Sequence, residues 1–190
     1  MAVNTKAIKR RIKSVTNTKK ITKAMEMVSA AKMRKSVEAT LNTRVYALLG
    51  RELLEKLSTL HGGGNAPLLN VRAVQNVLVV LVSSNRGLCG SFNSNVTKRA
   101  QKLISEIQDF AAQTTEDGET IEAKGKINVD VLGIGKKSVG FAKRNELELV
   151  GVFDELREKP SFDDILPITK IIIDGYVQGK YDKVFVVYTD

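Results

Sequence analysis

No glycine occurs in this chain before Gly50 and no proline before Pro67, and the residues ahead of them are mostly strong helix formers. Apolar residues recur there at three- and four-residue steps: Ile8, Ile12, Val15, then Ile21, Met25, Val28, then Val37, Leu41, Val45, Leu48. That period predicts one α-helix from Val3 to about Leu60, roughly 85 Å long at 1.5 Å per residue. A compact domain of this size is only about half as long. Most of the helix therefore has no domain of its own chain to lie on. The apolar stripe is narrow, nearer the two-per-heptad seam of a coiled coil than the broad face of a globular helix. Threonine, lysine or alanine interrupts it at several seam positions.

The net charge of +9 is concentrated in this helix. Eleven Lys or Arg residues fall between Lys6 and Lys35, against a single acid, Glu26. Such a segment carries a field of several kT and seeks an acidic partner. Residues 1–23, basic and free of acid, also resemble a mitochondrial transit peptide, but the pattern continues unbroken past residue 30. Nucleic acid is one candidate polyanion. The helix has no aromatic residue in its first 45 positions for base stacking and no zipper beyond its basic part, so an acidic protein surface fits as well. No run reaches the eighteen or so apolar residues that a transmembrane helix needs.

Gly62 to Gly64 open a linker, residues 61–74, and beyond it the pattern changes to βα alternation. VLVVLV, Val77 to Val82, is an apolar run of the kind buried on both faces of a sheet. A polar loop, Ser83 to Asn93, precedes a helix from about Ser94 to Ala112. Residues 114–126 read as a loop or short insertion. INVDVLGI is a second strand, Lys136 to Arg144 a short helix, and LELVGVF a third strand. Ser161 caps another helix with Asp163 and Asp164 at its positive end, and Pro167 is expected to kink it. KVFVVYT is the last strand. Residues 75–190 thus predict a Rossmann-like α/β domain with a mostly parallel sheet, appended to the coiled-coil helix of residues 1–60.

An α/β sheet with glycine-bearing loops invites a test for nucleotide binding. In SSNRGLCGSFN only the final G-x-x-G of the dinucleotide fingerprint exists, as Gly87 and Gly90, and Asn85 replaces the tight-turn glycine. In GIGKKS, Asp130 stands where a phosphate loop needs its first glycine and Lys137 where it needs a hydroxyl. Both read as tight strand-to-helix turns. The lone histidine, His61, lies beside the glycine linker. Cys89 is the single cysteine, so no intrachain disulfide exists. Arg86 lies nearby, but no second cysteine and no base is placed to activate the thiol. The carboxylates form no acid and base pair. No catalytic residue, cofactor or metal ligand is assigned.

Two stretches carry a family resemblance. ITKAMEMVSAAKMRKS, Ile21 to Ser36, preceded by SVTNTKK, is similar to the N-terminal helix signature of bacterial ATP synthase γ subunits. NRGLCGSFN, Asn85 to Asn93, resembles the loop that follows a hydrophobic strand in the same family. That family commonly has aspartate at the position of Asn85. The resemblance implies a non-catalytic central-stalk rotor, coupling ion flow through a membrane sector to ATP synthesis or hydrolysis. Its implied partners are the α and β subunits, the ε subunit and the membrane c-ring, with neither nucleic acid nor direct membrane insertion. The implied location is peripheral, on the cytoplasmic face of a bacterial plasma membrane or the equivalent organelle membrane. Lys23, Met25, Lys32 and Arg34 would face the acidic lever loops of β. Arg86, Gly87, Cys89 and Gly90 would approach a β subunit at the foot of the shaft. In the family a C-terminal helix pairs antiparallel with the N-terminal one, and it would lie beyond Asp190. The competing readings from the residues alone are a Rossmann-type nucleotide enzyme and a basic nucleic-acid module.

Overall fold

The computed structural model describes residues 5–60, 67–69, 72–108, 112–114, 120–122, 126–157 and 160–189. His61 and the Gly62–Gly64 cluster lie outside the described residues. The chain divides into two compact units, Met1–Gly62 and Gly63–Asp190.

The first unit is one helix, α1, Thr5–Leu60, of 56 residues, about 84 Å long. Its polar β-branched residues are absorbed locally. The hydroxyls of Thr16, Thr18 and Thr40 donate to the carbonyls of Ile12, Ser14 and Ser36, four residues back, at 2.8, 3.0 and 2.9 Å. Its apolar side chains stand in solvent: Ile12, Val15, Ile21 and Met25 are 50–66% exposed. At about 100° per residue the three apolar groups do not form one continuous line. The six-residue step from Val15 to Ile21 turns the Ile21–Met25–Val28 group about 140° away from Ile8–Ile12–Val15. The Val37–Leu48 group returns to within roughly 50° of the first. The seam expected from the sequence is thus two-sided, and no single straight partner covers it.

The second unit opens with a 3₁₀ turn, Pro67–Leu69. The elements that follow are β1 (Asn76–Val82), α2 (Phe92–Gln108), β2 (Ala112–Thr114), β3 (Thr120–Glu122), β4 (Asn128–Ile134), α3 (Lys136–Arg144), β5 (Glu148–Phe153), α4 (Phe162–Val177) and β6 (Lys183–Val187). β5, β4, β1 and β6 form a parallel sheet in that order. The Rossmann-like α/β expectation is met. α2 ends at Gln108, short of the expected Ala112, because Ala112–Thr114 instead pairs antiparallel with Thr120–Glu122. Three-residue strands are too short to show a period, and the sequence signals for that hairpin are β-branched Thr114, Thr120 and Ile121 and the Asp117-Gly118 pair between the strands.

β1 is the centre of the domain. Val77, Leu78, Val79, Val80 and Leu81 are each at most 2% exposed, because both faces of the strand are covered. Val77, Val79 and Leu81 pack with Val131 under Val96, Ala100 and Ile104 of α2 and Phe141 of α3. Leu78 and Val80 pack with Leu132 and Tyr181 under Ile168 of α4. The chain steps from β1 to β4 to β5 in one direction and returns to β6 in the other. Crossovers of a single hand then put α2 and α3 on one face and α4 on the opposite one.

Helix α4 starts as expected. The Asp164 carboxylate accepts from the Ser161 N–H at 2.8 Å and from its hydroxyl at 2.9 Å. Those two bonds hold its pKa below the usual carboxylate value. Pro167 lies within α4, and the helix continues through it to Val177. The buried Tyr181 hydroxyl donates to Asp130 Oδ2 at 2.9 Å, and burial, then that bond, pushes its pKa up.

Candidate functional site

In open α/β sheets, ligands bind outside the carboxyl ends of the strands, where helix N-termini offer unpaired N–H groups. Here those ends are the turns after β1 and β4, and they are joined to each other. α3 has glycine, Gly135, at its N-cap, so no side chain of its own satisfies the first turn. The loop after β1 does so instead. Asn85 Oδ1 accepts from the Lys136 N–H at 2.9 Å, Ser84 O from the Lys137 N–H at 3.3 Å, and Ser83 Oγ from the Ser138 N–H at 2.8 Å. The donors that would cradle a phosphate are occupied by the protein's own oxygens, and the first turn carries Lys136 and Lys137 but no acid.

The loop is itself tied down. Asn93, in the first turn of α2, accepts from the Ser84 N–H at 3.1 Å and donates to Ser84 Oγ at 2.8 Å and Cys89 Sγ at 2.9 Å. The Ser84 hydroxyl donates to Arg86 O at 2.6 Å. Cys89 is half-buried in this network, whereas Arg86, Gly87 and Gly90 are exposed on the same loop. Gly90 has φ +57°, the left-handed region that favours glycine. Leu88, absent from the residues singled out by sequence, is also left-handed at φ +63° and is 96% exposed. Its apolar character gave no signal, since leucine ordinarily reads as core.

Asn85 carries a measurable load. Asn85→Ala removes the only side-chain oxygen at the Lys136 N–H and should lower the urea unfolding free energy by about 1 kcal/mol. Asn85→Asp places a full negative charge at the same helix N-terminus beside two lysines and should match or exceed the parent's stability.

A hollow of about 290 Å³ at the carboxyl end of β5 is lined by Val152, Phe153, Asp154, Glu155 and Leu156, and two more lie elsewhere. One, about 260 Å³, is lined by Val74, Leu103, Ile107, Ile127 and Phe185, with Glu106 and Lys183 beside them. The other, about 490 Å³, includes Leu68, Arg72, Ile172, Tyr176 and Asp182. The polar groups of this last hollow are largely engaged, although Arg72 Nε is buried without a hydrogen bond. Arg72 stacks on the Tyr176 ring at 4.4 Å and pairs with Asp182 at 3.5 Å, and Asp182 accepts the N–H groups of Gln75 and Asn76 at 2.9 Å. Of these two, the first borders residues that precede β1 and β4 and the second residues that precede β1 and β6, so both lie at the end of the sheet opposite the ligand crevice. Among the described residues no group of three or more His, Cys, Asp or Glu is placed to hold a metal ion. No described helix is long and apolar enough to cross a membrane.

On α1, Lys23, Met25, Lys32 and Arg34 are all exposed. Met25 and Lys32, seven residues apart, share one side of the helix. Lys23 and Arg34 lie nearly opposite, more than 150° around at about 100° per residue. They do not make one patch. The Lys23 ammonium pairs with Glu26 at 3.0 Å, with both side chains more than 60% exposed, an arrangement worth little and easily exchanged for another carboxylate.

The described elements define an α/β protein: a long helix with solvent-facing apolar groups on two sides, and a Rossmann-like domain in which the first-turn N–H groups of α3 are taken by its own loop. A family model described as ATP synthase matches residues 4–190. The ATP synthase gamma chain of Roseiflexus sp. (strain RS-1) is 39% identical over 191 residues, covering 98% of this chain and 60% of the relative. That of Bordetella avium (strain 197N) is 37% identical over 184 residues, 97% of this chain and 56% of the relative. That of Desulforamulus reducens is 34% identical over 183 residues, 96% and 58% respectively. The chain belongs to the ATP synthase γ-chain family. It spans less than two thirds of the length of these relatives.

Proposed function

We propose that this chain is the shaft-bearing part of the rotor of a rotary F-type ATP synthase, coupling ion translocation to ATP synthesis or hydrolysis without performing bond chemistry itself. The observation that carries the reading is α1: a helix of 56 residues with exposed apolar groups and a dense basic charge, in a chain of the γ family. Its two-sided apolar pattern suits two kinds of contact. The Ile8–Val15 and Val37–Leu48 groups, on similar sides, would meet a second shaft helix. The Ile21–Met25–Val28 group, turned away from them, would slide past the acidic lever loops of β. Methionine suits a sliding contact because it is flexible and polarizable. Lys32 on the Met25 side would face the ring of three α and three β subunits directly, while Lys23 and Arg34 lie on the side given to the second shaft helix and would reach an acidic partner from beside it.

In this reading the α/β domain sits below the ring, on the ε subunit and the membrane c-ring, and the protein is peripheral to the membrane. The nucleotide sites belong to α and β. The occupied N–H donors of α3 support that division, since the loop after β1 takes the place a phosphate would need.

The charge element is testable by itself. Replacing Lys23, Lys32 and Arg34 together with glutamine should weaken association with the α3β3 ring about tenfold at low salt and flatten its salt dependence. The urea midpoint of the α/β domain should not change, because all three residues lie on α1. Affinity and salt slope equal to the parent's would refute the assignment of these cations to an acidic partner.

A further inference from the structure

We propose that Leu88 is a preformed apolar anchor, held out on a strained loop to enter an apolar pocket bordered by carboxylates on a partner protein. The inference rests on the reading above that this loop approaches a β subunit, and it names the residue and chemistry that would make the contact.

Folding gives no reason for Leu88 to be where it is. At 96% exposed it buries almost nothing, and φ +63° is a conformation that leucine rarely adopts. Glycine would relieve the strain, and the neighbours Gly87 and Gly90 both face open space. The strain persists because the rest of the loop is over-determined. Ser84, Cys89 and Asn93 are bound to one another, and Asn85 is bound to the first turn of α3. Strain maintained by surrounding structure is a mark of a binding site, and a rigid apolar tip loses little freedom on docking.

The charges around the tip select the partner. Arg86 is exposed two residues before it, and Lys137 is exposed on the helix to which the loop is bonded, where Lys136 lies 3.9 Å from Asp154 of its own chain. A rim of carboxylates complements them. A lipid surface fits less well, because one leucine is too small an anchor to hold a chain on a bilayer.

The test compares the parent chain with L88G, L88A and L88M for binding to its cognate α3β3 assembly, and to vesicles of three parts phosphatidylcholine to one part phosphatidylglycerol. L88G and L88A should each bind α3β3 about tenfold more weakly, with L88M within about threefold of the parent. L88G should also have a higher urea midpoint than the parent, since glycine removes the strain while affinity falls. Full affinity of L88G, with the parent binding well, would overturn the anchor and leave the rotor reading standing. No binding of the parent to α3β3 would overturn the rotor reading and the anchor with it. Loss confined to vesicle binding would overturn the protein partner in favour of lipid.

Discussion

Gly135→Ala is expected to destabilise the α/β domain by about 3 kcal/mol or more, enough to deplete the folded state of a marginally stable domain. Gly135 has φ +88° and ψ 148°, a region essentially reserved for glycine. A Cβ there would lie 2.2 Å from the Ser83 carbonyl oxygen. That oxygen belongs to the backbone at the end of β1 and cannot rotate aside. Gly135 also donates its N–H to Phe153 O at 2.9 Å, while Ser83 donates to Ile134 O at 2.7 Å. The glycine is therefore fixed between the ends of β1, β4 and β5. Any shift that admits a methyl group pulls on all three strands and on the bonds that cap α3. Gly140→Ala is the control. Its Cβ meets nothing closer than the end of Arg144 at 3.8 Å, and mid-helix alanine should be neutral or stabilising by up to about 1 kcal/mol. Urea unfolding followed by circular dichroism reads both variants. A Gly135→Ala midpoint close to the parent's would mean that the turn after β4 is not the rigid junction described here.

Met25→Lys is expected to leave ATP hydrolysis running in a complete assembly with a full-length shaft while ion pumping falls. Met25 is half exposed on α1, so a lysine there faces water in the isolated chain and should cost little stability. In the proposed assembly the new ammonium would meet acidic lever loops already attracted by Lys32 on the same side. One rotational position would gain an ion pair that the others lack. A partly exposed pair is worth on the order of 1 kcal/mol, which biases one of three nearly equivalent dwells about fivefold. A buried methionine would respond differently, losing several kcal/mol and lowering the subunit's yield. ATPase rate and proton pumping measured on the same membranes, with subunit content checked by blot, separate these outcomes. Normal coupling at normal content would exclude the sliding contact, and loss of the subunit would move Met25 into a core.

The sequence by itself determined the long helix, because forty-nine residues without glycine or proline and with apolar steps of three and four admit little else. It determined the parallel sheet as well. VLVVLV is apolar at every position, so both faces had to be covered, and Val77–Leu81 are buried on both. The signature from Ile21 to Ser36 and the loop Asn85 to Asn93 carried the family. What a linear pattern does not contain is direction around an axis and pairing across distance. That Met25 and Lys32 share a side while Lys23 and Arg34 oppose them follows from the unbroken helical phase of α1. That Ser83, Ser84 and Asn85 take the N–H groups at the start of α3 required β1 and β4 to lie side by side, about fifty residues apart in sequence. The same pairing brought Gly135 against Ser83 and tied down the loop that holds Leu88 in solvent. Hydrogen bonds made between neighbouring strand ends depend on the register of the sheet, and register is fixed only when the whole domain packs.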